Sequence, residues 1–181
     1  MNFIKKIVNM IKNKLHPIDY NSISYLKSRG VKIGENVDIL DSNLDFCHGF
    51  LITIGNNVTI TGARILAHDA STKKFLGYSK VGRVDIGNDV FIGKDAIVLP
   101  NTRIGNRVIV GAGTVVAKDV PDNVVIAGNP FRILCTFEEY IEKHRQNMQK
   151  APVYHTLWSE KSEEEKQYMY NELDGQIGYD L

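Results

Sequence analysis

Aliphatic residues recur every six positions through the middle of the chain. Stepping by six from Ile54 gives Ile60 and Leu66 and, after one interruption, Ile86, Ile92, Val98, Ile104, Val110 and Val116. Four places after each comes Val58, Arg64, Ala70, Val90, Ala96, Thr102, Val108, Thr114 or Val120, small or β-branched in every case but Arg64. Gly follows the aliphatic residue at 55, 87, 93, 105 and 111. An amphipathic helix repeats at about 3.6 and a half-buried strand at about two, so neither explains a period of six. Short strands joined by tight turns do: the aliphatic side chain points inward, the small one fills the next narrow gap, and Gly relieves the turn. Three such hexads closing a triangle, stacked at a strand spacing of about 4.8 Å, predict an all-β fold, a parallel β-helix.

The same pattern marks where the coil departs from regularity. Val31-Lys-Ile-Gly-Glu-Asn-Val reads as a first coil in a different phase, because Ile33 and Ile39 do not share the register of Ile54. An irregular stretch, Asp41 to Phe50, absorbs the shift. Between Leu66 and Ile86 a loop, approximately Thr72 to Asp85, must leave the prism, and a long loop inside a strict solenoid is a place to look for function. The predicted division is an N-terminal helical segment over 1–30, the β-helix over 31–134 with its loop over 72–85, and a C-terminal helical extension over 135–181. Phe3, Ile4, Ile7, Val8, Ile11 and Leu15 fall on one helical face beside lysines. That face suits a helix capping the core or packing on a neighbouring subunit, and alternatively a peripheral contact with an anionic membrane surface. At the other end Phe137, Tyr140, Ile141 and His144 share a helical face that would return along the prism. About Glu160 to Leu173 forms a second, acidic and tyrosine-rich helix with Asp174-Gly as its stop.

Composition removes several classes of function. Lys and Arg total 22 against 21 Asp and Glu, a net charge of +1, which offers no general field for nucleic acid. The two cysteines, Cys47 and Cys135, have no Cys-x-x-Cys spacing, so neither a zinc site nor a disulfide framework is expected; free thiols in a cytoplasmic protein are. No apolar run reaches the length of about 18 residues that spans a bilayer. Neither a Walker loop nor a dinucleotide fingerprint is present.

Ile54-Gly-Asn-Asn-Val, Ile86-Gly-Asn-Asp-Val-Phe-Ile-Gly-Lys and Ile104-Gly-Asn-Arg-Val-Ile-Val-Gly-Ala-Gly-Thr-Val-Val resemble the hexapeptide-repeat acyltransferases, among them the galactoside, maltose, serine and xenobiotic acetyltransferases. The resemblance runs from about Val31 to Leu134, and Ala127-Gly-Asn-Pro-Phe-Arg resembles the segment that closes the last coil in that family. It implies a left-handed winding, which the repeat alone does not fix. It also implies a homotrimer and acetyl-CoA as cosubstrate, held in a groove between neighbouring prisms without a metal. Lys94, Ala112, Ala117, Lys118 and Arg132 match positions at which the family contacts the cofactor; the small residues would let the backbone approach the pantetheine arm, and Lys118 and Arg132 would meet phosphates.

Acetyl transfer to a hydroxyl needs a base for the alcohol proton, donors for the oxyanion and a cleft that aligns both substrates. Of five histidines, His16, His144 and His155 lie in flanking segments. His68 stands where the chain leaves the prism, the place at which the family carries its catalytic histidine. An imidazole base needs a partner to fix its tautomer. Asp69 is adjacent but points to another side of the strand. A coil of about three hexads brings Asp41 to His48 near His68, so Asp45 and His48 are the candidates for orienting the base or holding the acceptor hydroxyl; a hydrogen-bonded turn is the alternative for the aspartate. The sequence His68-Asp-Ala-Ser-Thr-Lys-Lys and the loop Phe75-Leu-Gly-Tyr-Ser-Lys resemble acetyltransferases of polysaccharide assembly, which implies a sugar hydroxyl as acceptor. Asp69 and Tyr78 are the candidate acceptor contacts, Tyr78 by stacking on a pyranose ring. Serine or a xenobiotic acceptor, and a non-catalytic β-helix scaffold, are the competing readings.

Overall fold

The computed structural model describes Asp19, Tyr20 and residues 22–181. The helical face expected over Phe3 to Leu15, whether it caps the core, packs on a neighbouring subunit or touches a membrane surface, lies outside the described residues, as does His16. The chain divides into two compact units, the first ending at Cys135 and the second beginning at Thr136.

In the first unit, helix α1 (Ile23–Ser28) precedes the strands, with Ser22 accepting from the Tyr25 N–H at its start. The strands then come in threes. The first coil is β1 (Lys32–Ile33), β2 (Val37–Leu40) and β3 (Asn43–Leu44); the second is β4 (Ile52–Ile54), β5 (Val58–Thr61) and β6 (Arg64–Ile65). A hairpin of β7 (His68–Asp69) and β8 (Lys80–Val81), with helix α2 (Lys73–Leu76) between, interrupts the sequence. The third coil is β9 (Val84–Ile86), β10 (Val90–Ile92) and β11 (Ile97–Val98), and the fourth β12 (Thr102–Ile104), β13 (Val108–Val110) and β14 (Val115–Val116). Strands β15 (Val124–Gly128) and β16 (Phe131–Thr136) finish it.

With the hairpin set aside, corresponding strands of the four coils share a sheet, and β15 and β16 both extend the second. The first face is ordered β1-β4-β9-β12, the second β16-β15-β13-β10-β5-β2 and the third β14-β11-β6-β3, with parallel pairing between successive coils. The aliphatic positions of the repeat stack inside. Ile54, Ile86 and Ile104 line up on the first face, Ile60, Ile92 and Val110 on the second, and Ile65, Val98 and Val116 on the third, all buried. Each such side chain removed from water contributes about 1.5–3 kcal/mol, so the core is a column of small equal terms.

The Ile-Gly-Asn triplets explain one corner. Asn56, Asn88, Asn106 and Asp122 form a ladder in which each side-chain oxygen accepts the backbone N–H one coil earlier, from Glu35, Asn56, Asn88 and Asn106. The next residue in each coil takes a left-handed turn, at Asn57, Asp89, Arg107 and Asn123, a conformation that Asn and Asp tolerate best among residues with a side chain. At Gly87 a Cβ would sit 2.6 Å from the Gly105 carbonyl oxygen, so the coils meet here only without side chains.

Four details differ from the sequence pattern. Ile65, not Leu66, is the inward residue of the second coil, in register with Val98, and Ala63 holds the small position assigned to Arg64. The turn between β5 and β6 is one residue shorter than in later coils, so the exception at Arg64 disappears. Ile33 stacks directly on Ile54 despite its different phase by count. Asn43 and Leu44 already pair with Arg64 and Ile65, so the irregular stretch begins only at Asp45. The second departure starts at His68 and is over by Val84, because Val84 and Asp85 are strand residues of β9; its interior holds a hairpin and a turn of helix.

The second unit contains helices α3 (Phe137–Met148) and α4 (Glu163–Glu172) and a parallel pair, β17 (Val153–Tyr154) and β18 (Tyr179–Asp180). Each helix opens with a capping box, Thr136 with Glu139 and Ser162 with Glu165. Within this unit His144 Nδ1 lies 2.9 Å from the Tyr179 hydroxyl, and Lys161 is buried in an ion pair with Asp180.

Candidate active site

Both departures from the coil leave the same corner, between the third and first faces, one coil apart. Asp45 follows β3 and His68 follows β6. The backbone holds Asp45 against the next coil: its N–H donates to the Ile65 carbonyl at 2.9 Å, and its Oδ2 accepts the Ala67 N–H at 3.2 Å. With its side chain only 3% exposed, Asp45 is satisfied mainly by protein. The same Oδ2 is hydrogen-bonded to Nδ1 of His68, 23 residues on. A carboxylate only accepts, so the imidazole hydrogen sits on Nδ1 and the neutral ring keeps its lone pair on Nε2.

His48 completes the cluster from the turn just before the 3-10 segment Gly49–Leu51. Its backbone N–H donates to Asp45 Oδ1 at 3.2 Å, its Nδ1 lies 3.6 Å from that oxygen, and its ring centroid is 4.7 Å from that of His68. Burial acts to raise the Asp45 carboxyl, but the hydrogen bonds from His68 and the His48 backbone, and the nearby imidazoles, outweigh it and hold the group below its ordinary value.

The His68 side chain is 35% exposed and opens on a cleft of about 780 Å³ walled by Leu66, Asp69, Lys80, Leu99, Asn101 and Ala117. The hairpin forms one side of it. Asp69 turns away from Asp45 and pairs with Lys80 at 2.6 Å across the β7–β8 ladder; the Lys80 hydrogen bond, with the Ser71 amide, holds its carboxyl at about 2. Tyr78 is 80% exposed on the hairpin, as is Phe75. Thr72 Oγ1 donates to the Tyr78 carbonyl at 2.8 Å, which ties the hairpin tip to its base.

The five candidate cofactor residues are exposed and fall on different parts of the prism. Lys94 and Ala112 occupy one corner in successive coils, where the Gly113 N–H donates to the Lys94 carbonyl at 2.8 Å. Ala117 lies at the His68 corner and lines the cleft, and Lys118 follows it with Nζ 5.1 Å from the ring centre of Phe131. Arg132 is on β16 of the second face. Leu99, Pro100 and Asn101 also line the cleft and were not singled out from the sequence. Their signal was available: they turn the same corner as His68 one coil later, a relation hidden by the hairpin between.

A family model described as bacterial transferase hexapeptide (six repeats) matches residues 83–118. Protein CapG of Staphylococcus aureus is 43% identical over 129 residues, which cover 67% of this chain and 75% of CapG. The chain belongs to the hexapeptide-repeat acyltransferase family. The galactoside O-acetyltransferase of Escherichia coli (strain K12) is 30% identical over 142 residues, covering 72% of this chain and 68% of the enzyme. YvoF of Bacillus subtilis (strain 168) is 41% identical over 98 residues, and the chain spans 54% of its length. Among solved structures, a galactoside acetyltransferase in complex with coenzyme A superposes with a TM-score of 0.52 at 25% identity, covering 70% of this chain and 76% of that one.

Proposed function

We propose that the chain transfers an acetyl group from acetyl-CoA to a hydroxyl of a sugar or polysaccharide precursor, with His68 as general base, on a left-handed parallel β-helix. The observation that carries the proposal is the buried Asp45 carboxylate fixing Nδ1 of a His68 ring that borders an open cleft. Nε2 takes the acceptor proton as its oxygen attacks the thioester carbonyl. The tetrahedral intermediate then collapses with cleavage of the carbon–sulfur bond, and the imidazolium returns the proton to the departing thiolate. Asp45 stabilises the imidazolium between these events, and His48 holds the acceptor hydroxyl beside it.

Acetyl-CoA as donor is supported by family membership and by the related structure that holds coenzyme A. A sugar acceptor is supported by the galactoside enzyme among the relatives; Asp69 and Tyr78 would contact it from the hairpin. Lys94, Ala112, Ala117, Lys118 and Arg132 would bind the cofactor, and their spread over two corners and one face suits a groove with walls from two prisms of a homotrimer. No described helix is long and apolar enough to cross a membrane, and the cytoplasm is the compartment proposed.

The test is thiol release from acetyl-CoA with a panel of sugars, serine and xenobiotic hydroxyl acceptors. His68→Ala should lose at least about 100-fold in rate, the low end of a general-base contribution. An unchanged rate would remove His68 from the mechanism, and no release with any acceptor would favour a scaffold.

A further inference from the structure

We infer that Asp45, His48 and His68 form a zinc(II)-capture site, and that zinc bound there switches the enzyme off. The inhibitory half rests on the reading of His68 as base; the site itself does not. One donor atom from each of the three residues lies within 4.8 Å of the others. The oxygen of Asp45 nearest His48 is already 3.6 Å from its Nδ1, and tetrahedral zinc with ligands at about 2.0–2.1 Å sets donors about 3.3 Å apart. Modest side-chain rotations therefore close the set around one ion.

A second observation points the same way. Nδ1 of His48 is buried yet has no hydrogen-bond partner among the described residues, although a polar atom out of reach of water is normally paired. It faces the carboxylate that already binds His68. Two imidazoles and one carboxylate suit a borderline ion such as zinc, whereas magnesium or calcium would want six or more oxygens. Three protein ligands with water in the fourth place is a common open zinc arrangement. His48 and His68 are partly exposed, at 29% and 35% of their side chains, which gives the ion a way in.

Capture has a direct chemical consequence. In the metal-free pair, the neutral His68 ring carries its hydrogen on Nδ1, toward Asp45, and its lone pair on Nε2. When Nδ1 gives its lone pair to zinc, the ring's one hydrogen moves to Nε2 by exchange with solvent, with no net change in protonation. Nε2 then has nothing with which to accept a hydroxyl proton. The metal and the base mechanism compete for one nitrogen.

The full chain, stripped with a chelator, is dialysed against graded zinc(II) chloride, and bound metal per chain is measured. One ion per chain is expected, with affinity lowered at least about tenfold in His48→Ala and in Asp45→Asn, and unchanged in His155→Ala. Should Asp45→Asn fail to fold, the partly exposed His48 position carries the comparison. Magnesium should not compete. Thiol release should fall in step with zinc occupancy and recover with EDTA. Absence of binding, or binding equally tight in His48→Ala, overturns the site; full activity at full occupancy overturns the switch. Dialysis reads metal whether or not acetyl groups move, so zinc binding by a chain that never releases thiol supports the site and counts only against the proposed function.

Discussion

Asp45 sets the chemistry of its neighbours because it is charged where water scarcely reaches it. Its carboxyl is held below its ordinary value, so its contribution to stability is fully present above the usual carboxylate pKa of about 3.9 and is lost as pH falls through its own lower value. The stability difference between the native chain and Asp45→Asn, followed by thermal unfolding from neutral pH downward, should therefore shrink in strongly acidic solution. An asparagine keeps the size but not the charge that, in the proposed mechanism, supports the imidazolium. Asp45→Asn should lower kcat at least about tenfold, a barrier increase of about 1.4 kcal/mol, with a smaller effect on KM for acetyl-CoA. Asp69 shows why adjacency in sequence misleads: next to His68 in the chain, it is turned by the strand's alternation toward Lys80.

The coil corners act as elements in their own right. The asparagine ladder links each coil to the next through side-chain oxygens, and the glycines before it let the backbones approach. Gly87→Ala should destabilise the chain by about 1–3 kcal/mol, as overpacking does, measured as a lower denaturant midpoint. The hairpin over β7 and β8 shows the opposite behaviour, with Phe75, Leu76 and Tyr78 largely exposed at its tip. The ladder was legible in the Ile-Gly-Asn triplets; the hairpin was legible only as a gap in the count.

At the scale of the whole molecule, the solenoid's consequence is that residues far apart in sequence meet when they turn the same corner. Asp45 and His68 do so across one coil, and Leu99 and Ala117 continue the same edge. The proposed cofactor residues do not gather on one edge, a spread that suits the groove proposed between two copies. Sedimentation should give a trimer; a strictly monomeric species would leave that groove with one wall and count against the cofactor assignment.

The six-residue period was enough to determine the three-faced parallel core, because each inward position needs an aliphatic residue and each tight corner a small or left-handed one. It could not determine the phase where a coil is shortened or interrupted. Leu66 and Ile65 are equally aliphatic, and only the pairing of β6 with β11 decides which points inward. The coil length also brought Asp45 and His48 within reach of His68, but the roles within that cluster belong to tertiary structure. Asp45 Oδ2 bonds the His68 ring while His48 reaches the other carboxylate oxygen, because two irregular insertions leave the same edge and insertion length carries no signal of direction.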